Sequence, residues 1–299
     1  MSAEQAPPVL WEPGRELLES AEMTRFMHWL GTERGVELEG YEALWRWSVD
    51  ELEAFWAAIW DYFSVEAEQP YERVLGSRRM PGAEWFTGAR LSYPQHIFRG
   101  KDASQPAIHH ASELRDLATM SWGELRDMTA RIAGGLRALG VQPGDRVVAY
   151  MPNVPETIAA FLACASIGAV WSSCSPDFGA RSVVDRFAQI EPKVLLAVDG
   201  YRYNGRDFDR MDVVRALQAE IGSLEATIVM PYLDPDADAD AGWSDLLASG
   251  EGVPLDFEQL PFDHPLWVLY SSGTTGLPKA IVHGQGGILL EHLKKLHRT

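Results

Sequence analysis

The sequence predicts an α/β fold, with a helical N-terminal segment followed by a mostly parallel sheet of βαβ units. Two observations carry the prediction. The first ninety or so residues are rich in tryptophan (Trp11, Trp29, Trp45, Trp47, Trp56, Trp60 and Trp85) and apolar at helical spacing. From about Pro106 onward, short apolar runs alternate with amphipathic segments of helical period, the pattern of parallel strands joined by crossover helices.

The elements follow in order. A helix is expected around Leu17 to Leu30. Ser48 and Glu51 have the spacing of a capping box, after which Leu52, Phe55, Trp56, Ile59, Trp60 and Phe63 fall on one helix face. Burying these side chains contributes on the order of 9–18 kcal/mol before chain entropy is counted, so the helix must dock on something. Such an aromatic stripe is core or domain interface rather than a ligand box. Pro70 to Phe86 interrupts the periodicity and reads as a linker. A second capping box, Ser121 to Glu124, opens a helix with Leu125, Met128, Ile132, Leu136 and Leu139 inward, closed by Gly140. After the turn Gln142 to Asp145, strands are expected at Val147 to Met151, Ala169 to Ser172, Val194 to Val198 and Thr227 to Met230. Helices are expected between them near Glu156 to Ile167, Gly179 to Ile190 and Arg210 to Ile221.

Composition bounds the chemistry. A length of 299 residues holds one large or two ordinary domains, and 46% hydrophobic with 23% charged residues is a globular balance. The net charge of −17, from 26 basic and 43 acidic residues, disfavours nucleic acid and anionic membrane as partners. Any anionic ligand then needs cations placed locally. Cys164 and Cys174 lack zinc or redox spacing and sit among apolar or small residues, which reads as buried free thiols in a reducing cytosol. No signal-peptide pattern is visible, and no run approaches the ~18 apolar residues of a membrane span. The chain therefore reads as soluble and cytoplasmic. Ile288 to Arg298 is a helix pattern that meets Thr299 without glycine, proline or a polar tail, so the chain is expected to be cut there. Oligomeric state is not legible.

The most informative stretch is Leu266 to Gly284, LWVLYSSGTTGLPKAIVHG. An apolar strand, Leu266 to Tyr270, feeds a loop, Ser271 to Lys279. In the loop Ser272, Thr274 and Thr275 offer hydroxyls, Gly273 and Gly276 let the backbone approach closely, and Lys279 supplies a mobile positive charge. That is a phosphate cradle. It is not a Walker loop, because Pro278 precedes the lysine and Ala280 follows it, and GQGGIL from Gly284 has leucine where a dinucleotide fingerprint needs its third glycine. The plain alternative is a Gly/Ser hairpin loop; Tyr270 before it and Pro278-Lys279 after it weigh against that.

Other candidates carry less. The run from Asp234 to Asp240 fails as a calcium loop, since Ala241 and Leu247 stand where glycine and the bidentate acid belong. No G-x-S-x-G or H-E-x-x-H occurs, and Ser172 to Ser175 has no placed base. The segment Asp199 to Asp207, DGYRYNGRD, places Arg202 and Arg206 on a glycine-containing loop after a strand. Capture of an anion is one reading; surface pairing with Asp207 and Asp209 is the other.

YSSGTTGLPKA resembles the phosphate loop of the acyl-adenylate-forming superfamily, the acyl-CoA synthetases, adenylation domains and luciferases. Most members have glycine where this chain has Ala280, read here as a subfamily mark. The resemblance implies that the fold is of the acyl-adenylate-forming type. It also implies a two-step reaction, in which a carboxylate and Mg-ATP give acyl-AMP and pyrophosphate, and CoA then displaces AMP. Ser271, Ser272, Gly273, Thr274, Thr275, Gly276 and Lys279 would hold the ATP phosphates, with Lys279 catalytic; no metal ligand is assigned in this chain, so Mg²⁺ would be bound elsewhere. Arg202 and Arg206 sit in a segment similar to the Arg-Gly-Gly-Arg loop that holds the nucleotide end of CoA, although this one is a residue longer. The resemblance further implies acetoacetate as the acid, with acetate or propionate as alternatives. Members are about double this length. Residues 1–95 would then be an N-terminal domain of the acetyl-CoA-synthetase type and 96–299 the first part of an AMP-binding domain. The chain alone is expected to be inactive, at most a non-catalytic nucleotide-binding fragment.

Overall fold

The computed structural model describes residues 9–235, 242–271 and 276–296. They fall into two compact units, one of residues up to Val65 together with Leu290 onward, the other Glu66–Leu289.

The first unit is helical. It contains α1 (Arg15–Ser20), α2 (Glu22–Trp29), α3 (Gly40–Asp50) and α4 (Leu52–Tyr62). The single helix expected around 17–30 is broken at Ala21, whose extended backbone (φ −65, ψ 137) separates α1 from α2. Thr24 spans the break, its hydroxyl donating to the Leu18 carbonyl at 2.6 Å. After α2 a π-helical turn, Leu30–Arg34, ends at Gly35 in the left-handed region. The capping box expected at Ser48 and Glu51 does not form. Ser48 lies inside α3 and its hydroxyl donates back to the Trp45 carbonyl at 2.7 Å, the local bond serine makes within a helix. The apolar stripe on α4 does pack: Ala58, Ile59 and Trp60 are buried, and Phe55 meets Phe26 and Trp47 edge-on, with centroids 6.4 and 5.9 Å apart.

The second unit opens with β1 (Arg73–Ser77) and β2 (Glu84–Thr87), an antiparallel pair where the sequence suggested a linker. Strands this short show no legible alternation, yet Phe86 is buried against Tyr71 and Phe262. Next come β3 (Arg90–Leu91), α5 (Tyr93–Phe98), the hairpin β4 (Pro106–His110) with β5 (Ala118–Ser121), and α6 (Trp122–Ala138). The capping box at Ser121 is complete: its N–H donates to Glu124 at 2.7 Å and the Glu124 N–H donates to its hydroxyl at 3.2 Å.

The remaining elements are β6 (Arg146–Tyr150), α7 (Pro155–Ser166), β7 (Val170–Cys174), α8 (Ala180–Phe187), β8 (Val194–Val198), β9 (Gly200–Tyr203), β10 (Arg206–Asp209), α9 (Met211–Glu220), β11 (Ala226–Met230), α10 (Trp243–Ser249), β12 (Leu260–Pro261), β13 (Pro265–Ser271), β14 (Lys279–Gly284) and α11 (Gln285–Leu296). Six strands form the main sheet in the order β11-β8-β6-β7-β13-β14. The first five are parallel and β14 is an antiparallel edge. Strand β8, VLLAV, shows why the sheet was legible: Val194, Leu196 and Val198 enter the core shared with α6, α7 and α10, while Leu195 and Ala197 enter the core shared with α8 and α9. A strand covered on both faces reads as an unbroken apolar run.

Strand β6 leads into α7 on one face of the sheet, and β7 leads into α8 on the other. With β7 on one side of β6 and β8 on the other, the strand order reverses between β6 and β8, and the carboxyl ends of these strands are a switch point, where sheets of this kind take ligands. The end of β13 lies next to the end of β7.

Candidate active site

The site is built on the exit of β13. Leu266 and Val268 are buried, and Ser172 of β7 donates its hydroxyl to the Val268 carbonyl at 2.8 Å, reinforcing a short strand pairing. Ser172 thus has a structural partner. At the last positions Tyr270 faces Ala280 and Ser271 faces Lys279, so β13 and β14 pair as an antiparallel ribbon at the edge of the parallel sheet.

Both shoulders of this loop are fastened, one to the end of α8 and the other to the 3-10 turn Ala188–Ile190 that follows it. Before it, the Tyr270 hydroxyl donates to the Arg186 carbonyl at 2.8 Å; after it, the Gln189 amide donates to the Pro278 carbonyl at 2.9 Å. Burial pushes the Tyr270 phenol up to about 12, so it stays a neutral donor. Gly276 has φ +90, a backbone that side chains rarely adopt. Lys279 opens β14, is exposed, and has no ion-pair partner among the described residues. Ser272, Gly273, Thr274 and Thr275 lie outside the described residues. Strands β7 and β13 also line, with α7, a groove of about 240 Å³ whose walls include Ile158, Phe161, Trp171, Trp267 and Leu269. Tyr150, at the end of β6, shares its hydroxyl between the carbonyls of Pro176 and Phe178, each at 2.7 Å, which fixes the loop leaving β7. Cys164 and Cys174 are both buried and free. Burial raises both thiols, that of Cys174 to about 11, so neither is a nucleophile at neutral pH.

The second candidate group lies on the hairpin β9–β10, which the sequence reading treated as a loop. Asn204 (φ 51) and Gly205 (φ 70) form its turn, and an Asn-Gly pair with two left-handed residues is the strongest short hairpin signal a sequence offers. Cross-strand partners share a face, and the register pairs Arg202 with Asp207 and Arg206 with Tyr203. The two arginines consequently stand on opposite faces. Arg202 makes two hydrogen bonds to Asp207, at 2.5 and 3.1 Å. Arg206 is exposed on the face that also carries Tyr201 and Phe208, stacked at 5.1 Å, with the Arg210 guanidinium over both rings at 5.0 and 5.4 Å.

A hairpin at the carboxyl edge of a doubly covered parallel sheet stands where open α/β sheets take ligands. The chain belongs to the AMP-binding enzyme family, whose model matches residues 100–297. A model of the acetyl-coenzyme A synthetase N-terminus matches residues 41–96. Among individual proteins, the chain is 44% identical to the acetoacetyl-coenzyme A synthetase of Rhizobium meliloti (strain 1021), covering 98% of this chain and 46% of that protein. It is 39% identical to the acetoacetyl-CoA synthetase of Rattus norvegicus, covering 96% and 44%. The solved structure of an acetoacetyl-CoA synthetase from Streptomyces lividans superposes with a TM-score of 0.92 at 52% identity, over 97% of this chain and 45% of that one. The fold is therefore the acyl-adenylate-forming one, and the chain spans a little under half the length of the relatives it matches.

Proposed function

We propose that this chain supplies the phosphate-binding part of an acid–thiol ligase that activates acetoacetate with ATP and transfers it to CoA. The observation that supports the reading is Lys279, an exposed cation without an ion-pair partner among the described residues, at the exit of a loop whose shoulders are tied to Arg186 at the end of α8 and to Gln189 just after it. The acid's carboxylate oxygen attacks the α-phosphorus of ATP, the bond to pyrophosphate breaks, and the CoA thiol then attacks the acyl carbon and expels AMP. Charge accumulates on the leaving pyrophosphate in the first step. Lys279 with the hydroxyls of Ser271, Ser272, Thr274 and Thr275 and the backbone at Gly273 and Gly276 would hold the oxygens on which it accumulates. Mg²⁺ would accompany ATP and offset phosphate charge; the described residues offer no group of three His, Cys, Asp or Glu side chains to hold it. Arg202 and Arg206 are the proposed handle for the nucleotide end of CoA, engaged from the two faces of their hairpin.

In this reading residues 1–95 form the N-terminal domain and 96–299 the first part of the adenylation domain, and the chain alone gives no turnover. The partners are small molecules, not nucleic acid or membrane, and the compartment is the cytoplasm. Support comes from the net charge of −17, the buried free thiols and the lack, among the described residues, of a helix long and apolar enough to cross a membrane. The test is pyrophosphate release by the full-length protein with acetoacetate, acetate or propionate as the acid. Preference for acetoacetate is expected; preference for acetate or propionate overturns the substrate, and ATP binding without release for any acid overturns the reaction.

A further inference from the structure

The hairpin β9–β10 is held at both ends by carboxylates that belong to neither strand. At its root stands Asp199, 8% exposed and without an ion pair among the described residues. Its carboxylate accepts four main-chain N–H groups instead: Gly200 at 2.9 Å, Tyr232 at 2.7 Å and Leu233 at 2.9 Å on Oδ1, and Asp234 at 2.9 Å on Oδ2. The other strand returns to the same point, where the Arg210 N–H donates to the Asp199 carbonyl at 2.7 Å. At the tip, Glu113 reaches across from the β4–β5 loop and accepts the consecutive N–H groups of Asn204 at 2.6 Å and Gly205 at 2.7 Å. Successive amides in such a turn make a small concavity for an anion, and Glu113 fills it.

One residue joins the two anchors. Tyr232 donates its N–H to Asp199 and its hydroxyl to Ser112, at 2.8 Å, beside Glu113. Arg115 lies over the Tyr232 ring at 4.7 Å and bonds Glu156 at 2.7 Å, so the loop carrying Glu113 is itself fastened to α7 and to the segment that leaves β11. A two-stranded ribbon is marginal in water when left to itself. Anchored at root and tip, this one has a fixed direction.

We infer that Glu113 is a positioning residue for CoA recognition: it fixes the tip of the hairpin that presents Arg206, as Asp199 fixes the root. The inference rests on the reading of this hairpin as the CoA handle. Glu113 also places a negative charge at the tip, next to an arginine that would meet phosphate, and that effect has the opposite sign. The positioning effect outweighs it, because Glu113 is exposed and a solvated repulsion is screened, whereas losing two charge-assisted hydrogen bonds releases the turn.

The sign makes the inference testable in the full-length enzyme. Glu113→Ala is expected to raise KM for CoA about tenfold, equal to about 1.4 kcal/mol, with acyl-AMP formation in the absence of CoA unchanged. Glu113→Gln, which keeps one accepting oxygen, is expected to raise it about threefold. Hydrogen exchange at Asn204 and Gly205 should quicken in the alanine variant, which an exposed position lets fold. Arg206→Ala is the companion measurement. If Arg206→Ala raises KM for CoA while Glu113→Ala leaves it unchanged or lowers it, the positioning inference is overturned and the handle stands. If Arg206→Ala does not affect CoA, the handle falls and the inference with it.

Discussion

Two hairpins of the second unit carry cations in a protein of net charge −17, and they treat them differently. Lys279 opens β14 without an ion-pair partner among the described residues, and the shoulders of the loop before it are tied through hydrogen bonds to carbonyls, Tyr270 to that of Arg186 and Gln189 to that of Pro278. The hairpin β9–β10 already meets its positive charge with Asp207 on Arg202 and occupies its tip amides with Glu113. An unengaged cation meets an incoming phosphate at full strength. A paired one must first exchange a carboxylate for the ligand, so its net gain is smaller. On the function proposed above, the difference would separate a site built for charge that develops during reaction from one built to recognise a ligand's standing charge.

The largest expected effect tests the first half of that comparison. In the full-length enzyme Lys279→Ala should lower acetoacetate-dependent pyrophosphate release by on the order of 10²–10³, the usual loss for one oriented charge-stabilising donor. Lys279→Arg should recover only part of it, because a planar fork does not reproduce a compact ammonium. A near-normal rate in the alanine variant would break the comparison at its root.

The second half predicts a split between half-reactions. Arg206→Ala should raise KM for CoA by about tenfold while acyl-AMP formation stays normal, since binding lost from a remote handle appears first in KM. Arg202→Ala should do less, about threefold, because the wild-type arginine must leave Asp207 before it can help. Equal loss in both half-reactions would assign these residues to structure, and a larger effect at Arg202 would reverse the ranking that the pairing implies. Separate titrations of CoA and of ATP decide between these outcomes.

Much of the fold was legible because single elements announce themselves. β8 is an uninterrupted apolar run since both its faces are covered, and α6 starts where Ser121 and Glu124 cap each other. The loop proposed to hold phosphate stood out as a candidate for the same reason, its residues being contiguous from Tyr270 to Lys279. What escaped depends on contacts distant along the chain or on structure too short to have a period. Gln189 meets Pro278 across 89 positions and Glu113 meets Asn204 across 91; neither glutamine nor glutamate there carries a local signal. Helix α3 has no side-chain cap, and β1 and β2 are five and four residues long. The Asn204-Gly205 turn is the instructive case. Its dipeptide marks a hairpin, and a hairpin register puts Arg202 and Arg206 on opposite faces, so their separation could have been derived from the turn alone.

The smallest effect concerns the anchoring of the loop rather than its charge. Tyr270→Phe removes one neutral hydrogen bond, to the Arg186 carbonyl, and should cost about 1 kcal/mol at neutral pH. A pH signature distinguishes this bond from simple packing. Burial raises the Tyr270 phenol to about 12 from an unfolded value near 10, so the folded state holds its proton more tightly than the unfolded chain does. Its contribution to stability is therefore fully present below pH 10 and is lost as pH rises toward 12. Tyr93 and Tyr150, also raised to about 12 by burial, add to the same alkaline loss. The urea midpoint of the wild type should fall between pH 10 and pH 12, and that of Tyr270→Phe should start lower and fall less. Parallel curves for the two proteins would mean that Tyr270 ionises as readily in the folded state as in the unfolded one, and that the shoulder before the loop is not held by a buried neutral phenol.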